Sequence, residues 1–152
     1  MNSIDTLAKL KQLEGHYFTH TRSKAGKWLN YKLVKADDGY LEATLSIREE
    51  MTNPNGMLHG GMIGMICDEL CGLAFYTKGY PTFYTTVNLA IDFLYSAPIH
   101  SQITAKASVL RSGKKIANTE CTLYDEQGNI VAHATSNLVN TEKTVFDIHL
   151  PL

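Results

Sequence analysis

Residues 53 to 76 read Asn-Pro-Asn-Gly-Met-Leu-His-Gly-Gly-Met-Ile-Gly-Met-Ile-Cys-Asp-Glu-Leu-Cys-Gly-Leu-Ala-Phe-Tyr, a turn sequence that leads into an almost wholly apolar segment. This pattern predicts a helix over about 61–77, preceded by a loop over about 48–60. Because a helix that is apolar on nearly every side must be covered all round, the rest of the chain is expected to wrap around it.

The start of this predicted helix is unusual, because Gly60 and Gly61 directly follow His59. Glycines give up side-chain packing and leave bare backbone N–H groups at the positive end of the helix dipole. A histidine immediately before them also fits a structural cap whose ring bonds the loop backbone. The helix start therefore predicts an anion-stabilising site.

Asp68 is the second notable feature of the helix. It lies two helical turns after Gly61, and Gly64 and Gly72 share its face, so it has no bulky neighbours there. The segment 49–77 contains no Lys or Arg, so no local ion pair accounts for an acid in an apolar helix. We predict a buried, functional carboxylate at this position.

The polar residues near Asp68 also have simpler structural interpretations. Glu69 points about 100° away, toward an exposed rim or a subunit contact, and is the rival for the working carboxylate. Asn53 fits a turn former before Pro54. Thr86 lies on the polar face of a strand, where threonine is common.

Hydrophobic periodicity predicts one curved antiparallel sheet around the central helix, an α+β arrangement. An amphipathic helix is expected over 3–15 and an irregular segment over 16–27. The first expected strand is Trp28–Ala36, and after the turn at Asp37-Asp38-Gly39 a return strand has Leu41, Ala43, Leu45 and Ile47 inward. A long strand from Thr82 to Phe93 is expected to alternate throughout. The remaining expected strands are Ser101–Arg111, Lys115–Tyr124 and Ile130–Val139. The last four have short links, which favours an antiparallel meander.

Composition limits the possible function classes. The 152 residues are 44% hydrophobic and 19% charged, as expected for one soluble domain rather than a disordered chain. A net charge of −1 gives no reason to expect nucleic acid or an anionic membrane as a partner. No signal peptide or 18-residue apolar span is visible, and the three cysteines fit buried thiols in a reducing compartment. The expected location is the cytoplasm.

Other site chemistries find little support in the sequence. The ligand-type residues around the predicted helix, His59, Cys67, Asp68 and Cys71, show no CxxC or HxxxH spacing, so no metal is predicted. Cys67 and Cys71 point away from the Asp68 face, which disfavours a Cys–His nucleophile pair. The basic tip at residues 111–115 fits a solvated turn and a phosphate contact equally well.

The pattern Asn53-x5-His59-Gly60-Gly61-x6-Asp68, followed by a strand with Thr86, resembles the hot-dog-fold acyl-CoA thioesterases of the phenylacetate-degradation (PaaI-like) group. The likeness covers about 28–140, with 1–27 an N-terminal helix and irregular segment and 141–152 a C-terminal tail. It implies hydrolysis of acyl-CoA by a homo-oligomer with active sites at the dimer interface. The oligomer would be a homodimer at least, and a homotetramer if the chain assembles as members of that group do. It implies no separate cofactor, since coenzyme A is part of the substrate.

Carried over by position, the resemblance assigns a role to each motif residue. One subunit would supply Asn53, His59 and Gly60. The Gly60 amide would polarise the thioester carbonyl, His59 would support that loop, and Asn53 would help to place the carbonyl or the water. The other would supply Asp68 as general base or nucleophile, with Thr86 holding the water or the carboxylate. The turn that meets the coenzyme A phosphates would be Ser112, Gly113, Lys114 and Lys115.

The chain also departs from the family pattern. An Arg-Pro or Ser-Pro step often follows the long strand in that group, whereas this chain reads Phe93-Leu94-Tyr95-Ser96-Ala97-Pro98. The first alternative is a non-catalytic acyl-CoA-binding or regulatory hot-dog domain, against which the intact Asp68 argues. The second is a hot-dog dehydratase, but the His and carboxylate spacing that such an enzyme needs is absent.

Overall fold

A six-stranded antiparallel sheet and one long helix make up most of the part of the chain described by the computed structural model, residues 3–19 and 21–144. The elements in chain order are α1 (Ser3–Gln12), α2 (Lys24–Leu29), β1 (Lys32–Asp37), β2 (Tyr40–Ser46), a 3₁₀ turn (Glu49–Met51), α3 (Gly60–Tyr76), β3 (Thr82–Phe93), β4 (Gln102–Ser112), β5 (Ile116–Tyr124) and β6 (Ile130–Thr144). The strand order is β1-β2-β4-β5-β6-β3. This is the predicted hot-dog architecture.

Helix α3 packs against one face of the sheet, and its apolar side chains form the centre of the core. Its buried residues are Ile63, Ile66, Cys67, Leu70, Cys71, Leu73, Ala74 and Phe75. The predicted inward residues Leu41, Ala43 and Leu45 of β2, and Ile47 just after it, are all buried in the same core cluster. The hairpin turn before β2 is also confirmed, with Asp37 paired to Tyr40 and Gly39 at a φ of +72°.

The predicted strand from Trp28 was wrong at its beginning. Trp28 lies in α2, whose first turn is capped by the Ser23 hydroxyl, which accepts a hydrogen bond from the Gly26 amide at 3.0 Å. Asn30 ends the helix in the left-handed region with a φ of +54°. Because Ser is a favoured N-cap and Asn tolerates positive φ, both ends of α2 have local causes.

The predicted meander of the last four strands was also wrong. Strands β4, β5 and β6 are consecutive neighbours, but β3 pairs with β6 at the edge of the sheet, and β4 pairs with β2. The eight residues 94–101 cross the end of the sheet between β3 and β4. Such a link spans up to about 26 Å, whereas three strand spacings need about 14 Å. The link was therefore long enough for a crossover.

The predicted alternation along the whole of strand β3 was wrong. Its pairing with β6 shifts between Thr86 and Asn88, so Val87 is the extra residue of a bulge. Tyr84 and Thr86 face α3 before the bulge, and Leu89 and Ile91 face it afterwards. The bulge thus lets a polar and an apolar part of one strand line the same helix.

The described segments near both chain ends are attached to the rest of the structure. At Gly15, with a φ of +84°, the chain turns after α1, and Leu10 of that helix is buried. At the other end, β6 continues to Thr144, and the Thr141 hydroxyl donates to the Phe83 carbonyl at 2.7 Å. The rest of the predicted loose tail, 145–152, lies outside the described residues.

Candidate active site

The first turn of α3 leaves one backbone amide free. The His59 Nδ1 atom accepts a hydrogen bond from the Gly61 amide at 2.9 Å, so His59 is the N-cap. The amides of Met62 and Ile63 donate to the His59 carbonyl at 2.9 and 3.0 Å. Within the described part of the chain, no acceptor is found for the Gly60 amide. The dipole of α3 places partial positive charge at this free N–H.

Glycine at this helix start favours close packing as well as exposure of the backbone. A Cβ atom on Gly60 would lie 3.3 Å from the Phe93 ring, and one on Gly64 would lie 3.3 Å from Ile91. Both partners belong to the second half of β3. The helix can therefore lie close to this strand, and the half-exposed Phe93 ring stands next to the free amide. The alternation of residues along β3 gives no signal in the sequence that Phe93 lies at this site.

Asn53 organises the loop that precedes α3. Its side-chain oxygen accepts hydrogen bonds from the amides of Asn55 at 2.9 Å and Met57 at 3.2 Å. The oxygen is thus committed to the turn, as the turn-former reading expected. No acceptor is found among the described residues for the side-chain NH₂ group, which therefore remains a potential donor.

Asp68 and Thr86 lie together, two helical turns along α3 from Gly60. The Thr86 hydroxyl donates to Asp68 Oδ1 at 2.7 Å, which joins the centre of α3 to the first half of β3. Such a bond holds one carboxylate oxygen and leaves Oδ2 available to another partner.

The prediction that Asp68 is buried was wrong for the single chain. Asp68 is exposed, as is Gly61 on the same face of α3. The helix is not covered all round, because β3 is an edge strand and nothing else in the described part of the chain lies over this face. The apolar sequence of α3 indicated that the helix is buried, but it could not indicate whether the same chain or a second chain covers this face.

Glu69, the rival carboxylate, is turned back into its own chain instead of forming an exposed rim. The Ser23 hydroxyl donates to Glu69 Oε2 at 2.8 Å, and the Tyr31 hydroxyl donates to Oε1 at 3.5 Å. Burial raises the pKa of the Glu69 carboxyl; the Ser23 hydrogen bond opposes that shift, and the charge of Asp68 adds to it. Tyr31 is buried, and burial together with Glu69 raises its pKa well above the ordinary value.

The basic hairpin tip lies near the other end of α3. The Tyr84 hydroxyl donates to the carbonyls of Gly113 and Lys114, both at 3.0 Å, and its ring packs on Phe75 with centroids 4.4 Å apart. Lys114 and Lys115 are exposed. Tyr84 was not among the expected site residues, although it shares a strand face with Thr86.

One chain therefore brings together only part of the predicted site. Asp68 meets Thr86, whereas His59 and Gly60 lie at the start of α3 and Asn53 lies in the loop before it. Eight residues of helix separate Gly60 from Asp68, which is about 12 Å along the axis. A single thioester carbonyl cannot contact both groups within one chain.

Comparison with known proteins identifies the family. The model of the thioesterase superfamily matches residues 55–132, which include α3, β3, β4 and β5. The chain belongs to this superfamily. Human acyl-coenzyme A thioesterase 13, for example, is 30% identical over 103 residues, which cover 66% of this chain and 72% of the human protein.

Other members show the same relationship. The acyl-coenzyme A thioesterase PaaI of Escherichia coli is 22% identical over 122 residues, covering 80% of this chain and 86% of PaaI. The structure of PaaI, from the phenylacetic acid degradation operon, superimposes with a TM-score of 0.79 over 92% of this chain and 99% of PaaI at 20% identity. A Streptococcus mutans protein bound to acetyl CoA superimposes with a TM-score of 0.71 at 22% identity, over 76% and 92% of the two chains. The predicted superfamily and PaaI-like fold are confirmed.

No helix in the described ranges is long and apolar enough to cross a membrane.

Proposed function

We propose that this protein is an acyl-CoA thioesterase that hydrolyses its substrate to the free acid and coenzyme A. The observation that carries the proposal is the free amide of Gly60 at the start of α3 in a thioesterase-superfamily chain. The loop before the helix, residues 48–59 and called the motif loop below, holds that amide open. Donors of this kind stabilise the oxyanion that forms as a thioester carbonyl is attacked, and each contributes about 3–4 kcal/mol to catalysis.

The separation of Gly60 from Asp68 supports an active site made by two subunits. Strand β3 has a free edge in the described chain, with Phe83, Val87 and Phe93 exposed by 53%, 62% and 59%. Pairing of two β3 strands would cover this edge and the open face of α3. Asn53, His59 and Gly60 of one subunit would then meet Asp68 and Thr86 of the other. The same contact accounts for the apolar sequence of α3 around an acid that one chain leaves exposed.

The chemistry follows from the free atoms in each group. The Gly60 amide and the NH₂ group of Asn53 donate to the thioester oxygen. Asp68 Oδ2 removes a proton from a water that attacks the carbonyl carbon, or attacks that carbon itself, while Thr86 holds Oδ1. Collapse of the tetrahedral intermediate breaks the C–S bond, and the thiolate takes a proton from Asp68 or from water. If Asp68 is the nucleophile, a water then hydrolyses the mixed anhydride on Asp68 and releases the free acid. Glu69 takes no part, because Ser23 and Tyr31 already occupy it.

Coenzyme A is the proposed leaving group for two reasons. Human acyl-coenzyme A thioesterase 13 is named for this substrate, and the S. mutans protein of the same fold binds acetyl CoA. In this chain, Lys114 and Lys115 supply positive charge at an exposed turn, which suits a phosphate-rich ligand. Ser112 and Gly113 would complete this turn.

A thiol-release assay with short-chain, long-chain and aromatic acyl-CoAs tests the proposal. We expect the wild type to hydrolyse at least one class, and Asp68→Asn to lower kcat by at least about two orders of magnitude. The variant should keep its fold and its affinity for the acyl-CoA, because the amide has nearly the same shape and still accepts the Thr86 hydrogen bond.

Each contrary outcome has a defined meaning. Binding of acyl-CoA without hydrolysis by the wild type would favour the non-catalytic binder. Hydrolysis at an unchanged rate by Asp68→Asn would remove Asp68 from the mechanism.

A further inference from the structure

Helix α2 is tied to α3 through Glu69. Ser23, the N-cap of α2, donates to Glu69 Oε2 at 2.8 Å while accepting from the Gly26 amide at 3.0 Å. The carboxylate lies so close to Gly26 that a Cβ atom at this position would overlap with Oε1. Glu69 thus holds the beginning of α2 and follows Asp68 directly in the chain.

The other end of α2 is tied to the motif loop through Arg48. Its guanidinium donates to the carbonyls of Trp28 at 2.8 Å and Leu29 at 3.0 Å, which are the last carbonyls of the helix. It also stacks on the Trp28 ring at 4.7 Å from the centroid. These contacts satisfy carbonyls that α2 cannot bond internally.

A short path leads from Arg48 to the free amide. Arg48 directly precedes the 3₁₀ turn, and the carbonyl of the fully buried Met51 in that turn accepts the His59 amide at 2.9 Å. His59 precedes Gly60 and caps α3. The contacts therefore run without interruption from Glu69 through α2 and Arg48 to the start of α3. Helix α2 lies outside the residues that match the superfamily model.

We propose that α2 is a strut that fixes the Gly60 amide relative to α3, with Glu69 and Arg48 as positioning residues. The inference rests on the proposed function, in which this amide binds the developing oxyanion. A displacement of about 1 Å at such a donor can lower the rate up to about 10²-fold. Neither residue touches the substrate in this scheme, so their loss should act on kcat more than on KM.

A double-mutant cycle tests the strut. The variants are Glu69→Ala, which cuts the tie to α3, Arg48→Met, which keeps the apolar stem but removes the donors, and the two combined. We expect each single variant to lower kcat for the best acyl-CoA by about 10- to 50-fold with KM changed less than about threefold. The double variant should lose little more than the worse single variant, because either cut releases the same strut. Glu69→Gln, whose amide oxygen still accepts from Ser23, should recover most of kcat.

Hydrogen exchange gives a readout that does not depend on activity. We expect the amides of residues 56–61 to exchange faster in Glu69→Ala and in Arg48→Met than in the wild type. Lys11→Met, which removes the exposed ion pair with Asp37, is the control and should change neither exchange at 56–61 nor kcat. Melting curves establish that each variant is folded.

The outcomes separate the two proposals. Multiplicative losses of kcat in the double variant, or unchanged exchange at residues 56–61 in both single variants, would overturn the strut while the wild type still hydrolyses acyl-CoA. Absence of hydrolysis by the wild type would overturn the proposed function, and the exchange experiment alone would then decide whether α2 holds the loop.

Discussion

Glu69 gives a pH dependence of stability at the scale of a single residue. Burial raises its pKa in the folded state above the ordinary value. At pH below about 4.5 the carboxyl is protonated in both folded and unfolded chains, so it adds no electrostatic cost. As the pH rises through the raised pKa, the folded chain must ionise a buried group, and stability falls.

The expected result is a pH-dependent difference between the wild type and Glu69→Gln. The melting temperature of the wild type should fall relative to the variant as the pH rises from 4 to 7, because the variant has no group to ionise. Thermal melts of both proteins at matched ionic strength measure this difference. A difference that stays constant, or moves in the opposite direction, would contradict a raised pKa at this site.

Single residues also show how far the sequence could predict the site. Asn53, His59, Gly60, Asp68 and Thr86 were assigned by their spacing within a resemblance, and the structure places Thr86 on Asp68. The position of Glu69 was out of reach, because its partner Ser23 lies 46 residues away and nothing local indicates the contact.

At the scale of elements, the buried side of α3 keeps its thiols unreactive. Cys67 and Cys71 on this helix and Cys121 on β5 are free and buried. Burial raises the pKa of Cys71 to about 12, and a hydrogen bond to Cys67, together with burial, raises that of Cys121 well above its ordinary value. The thiolate is the reactive form, so both raised pKa values and burial oppose modification.

We therefore expect an aromatic disulfide reagent at pH 8 to label fewer than about 0.1 thiol per folded chain within minutes. The same reagent should label all three cysteines after unfolding in guanidinium, which is the control for reagent and protein concentration. Absorbance of the released thiolate gives both numbers. Rapid labelling of the folded protein would show that α3 is less well packed than described.

The success of the prediction also differed among elements. Helix α3 was predicted well because its long apolar segment lies between turn sequences, and the inward face of β2 was predicted well because its residues alternate strictly. Strand β3 was only partly predicted, since the bulge at Val87 changes which residues face the helix without any Gly or Pro to signal it. Its pairing with β6 is a non-local choice that adjacent turn sequences do not reveal.

At the scale of the whole molecule, the free edge of β3 predicts a stable dimer. A long, apolar and unpaired edge strand favours association with a second strand. Light scattering should give a mass of at least about twice the 16.9 kDa of the chain. Val87→Lys, at a side chain exposed by 62% on β3, should lower this mass toward that of one chain and reduce hydrolysis at least about 100-fold. The loss is expected because Gly60 and Asp68 no longer meet.

The matched control is Val34→Lys, which makes the same substitution at an exposed residue of β1, the opposite edge strand. It should leave both the dimer and hydrolysis nearly unchanged. A wild type that scatters light as a single chain, or a monomeric Val87→Lys with full activity, would contradict the two-subunit site.

The Tyr84 hydroxyl has a consequence for the entropy of binding. Its single proton is shared between the carbonyls of Gly113 and Lys114, so the backbone of the hairpin tip is already fixed before any ligand arrives. Fixing one residue of backbone costs roughly 1–2 kcal/mol, and at this turn folding has already met that cost. An anion that binds there needs to immobilise only the two lysine side chains. The backbone of the hairpin tip is thus preorganised for an anion, while the two lysine side chains can adapt to its shape.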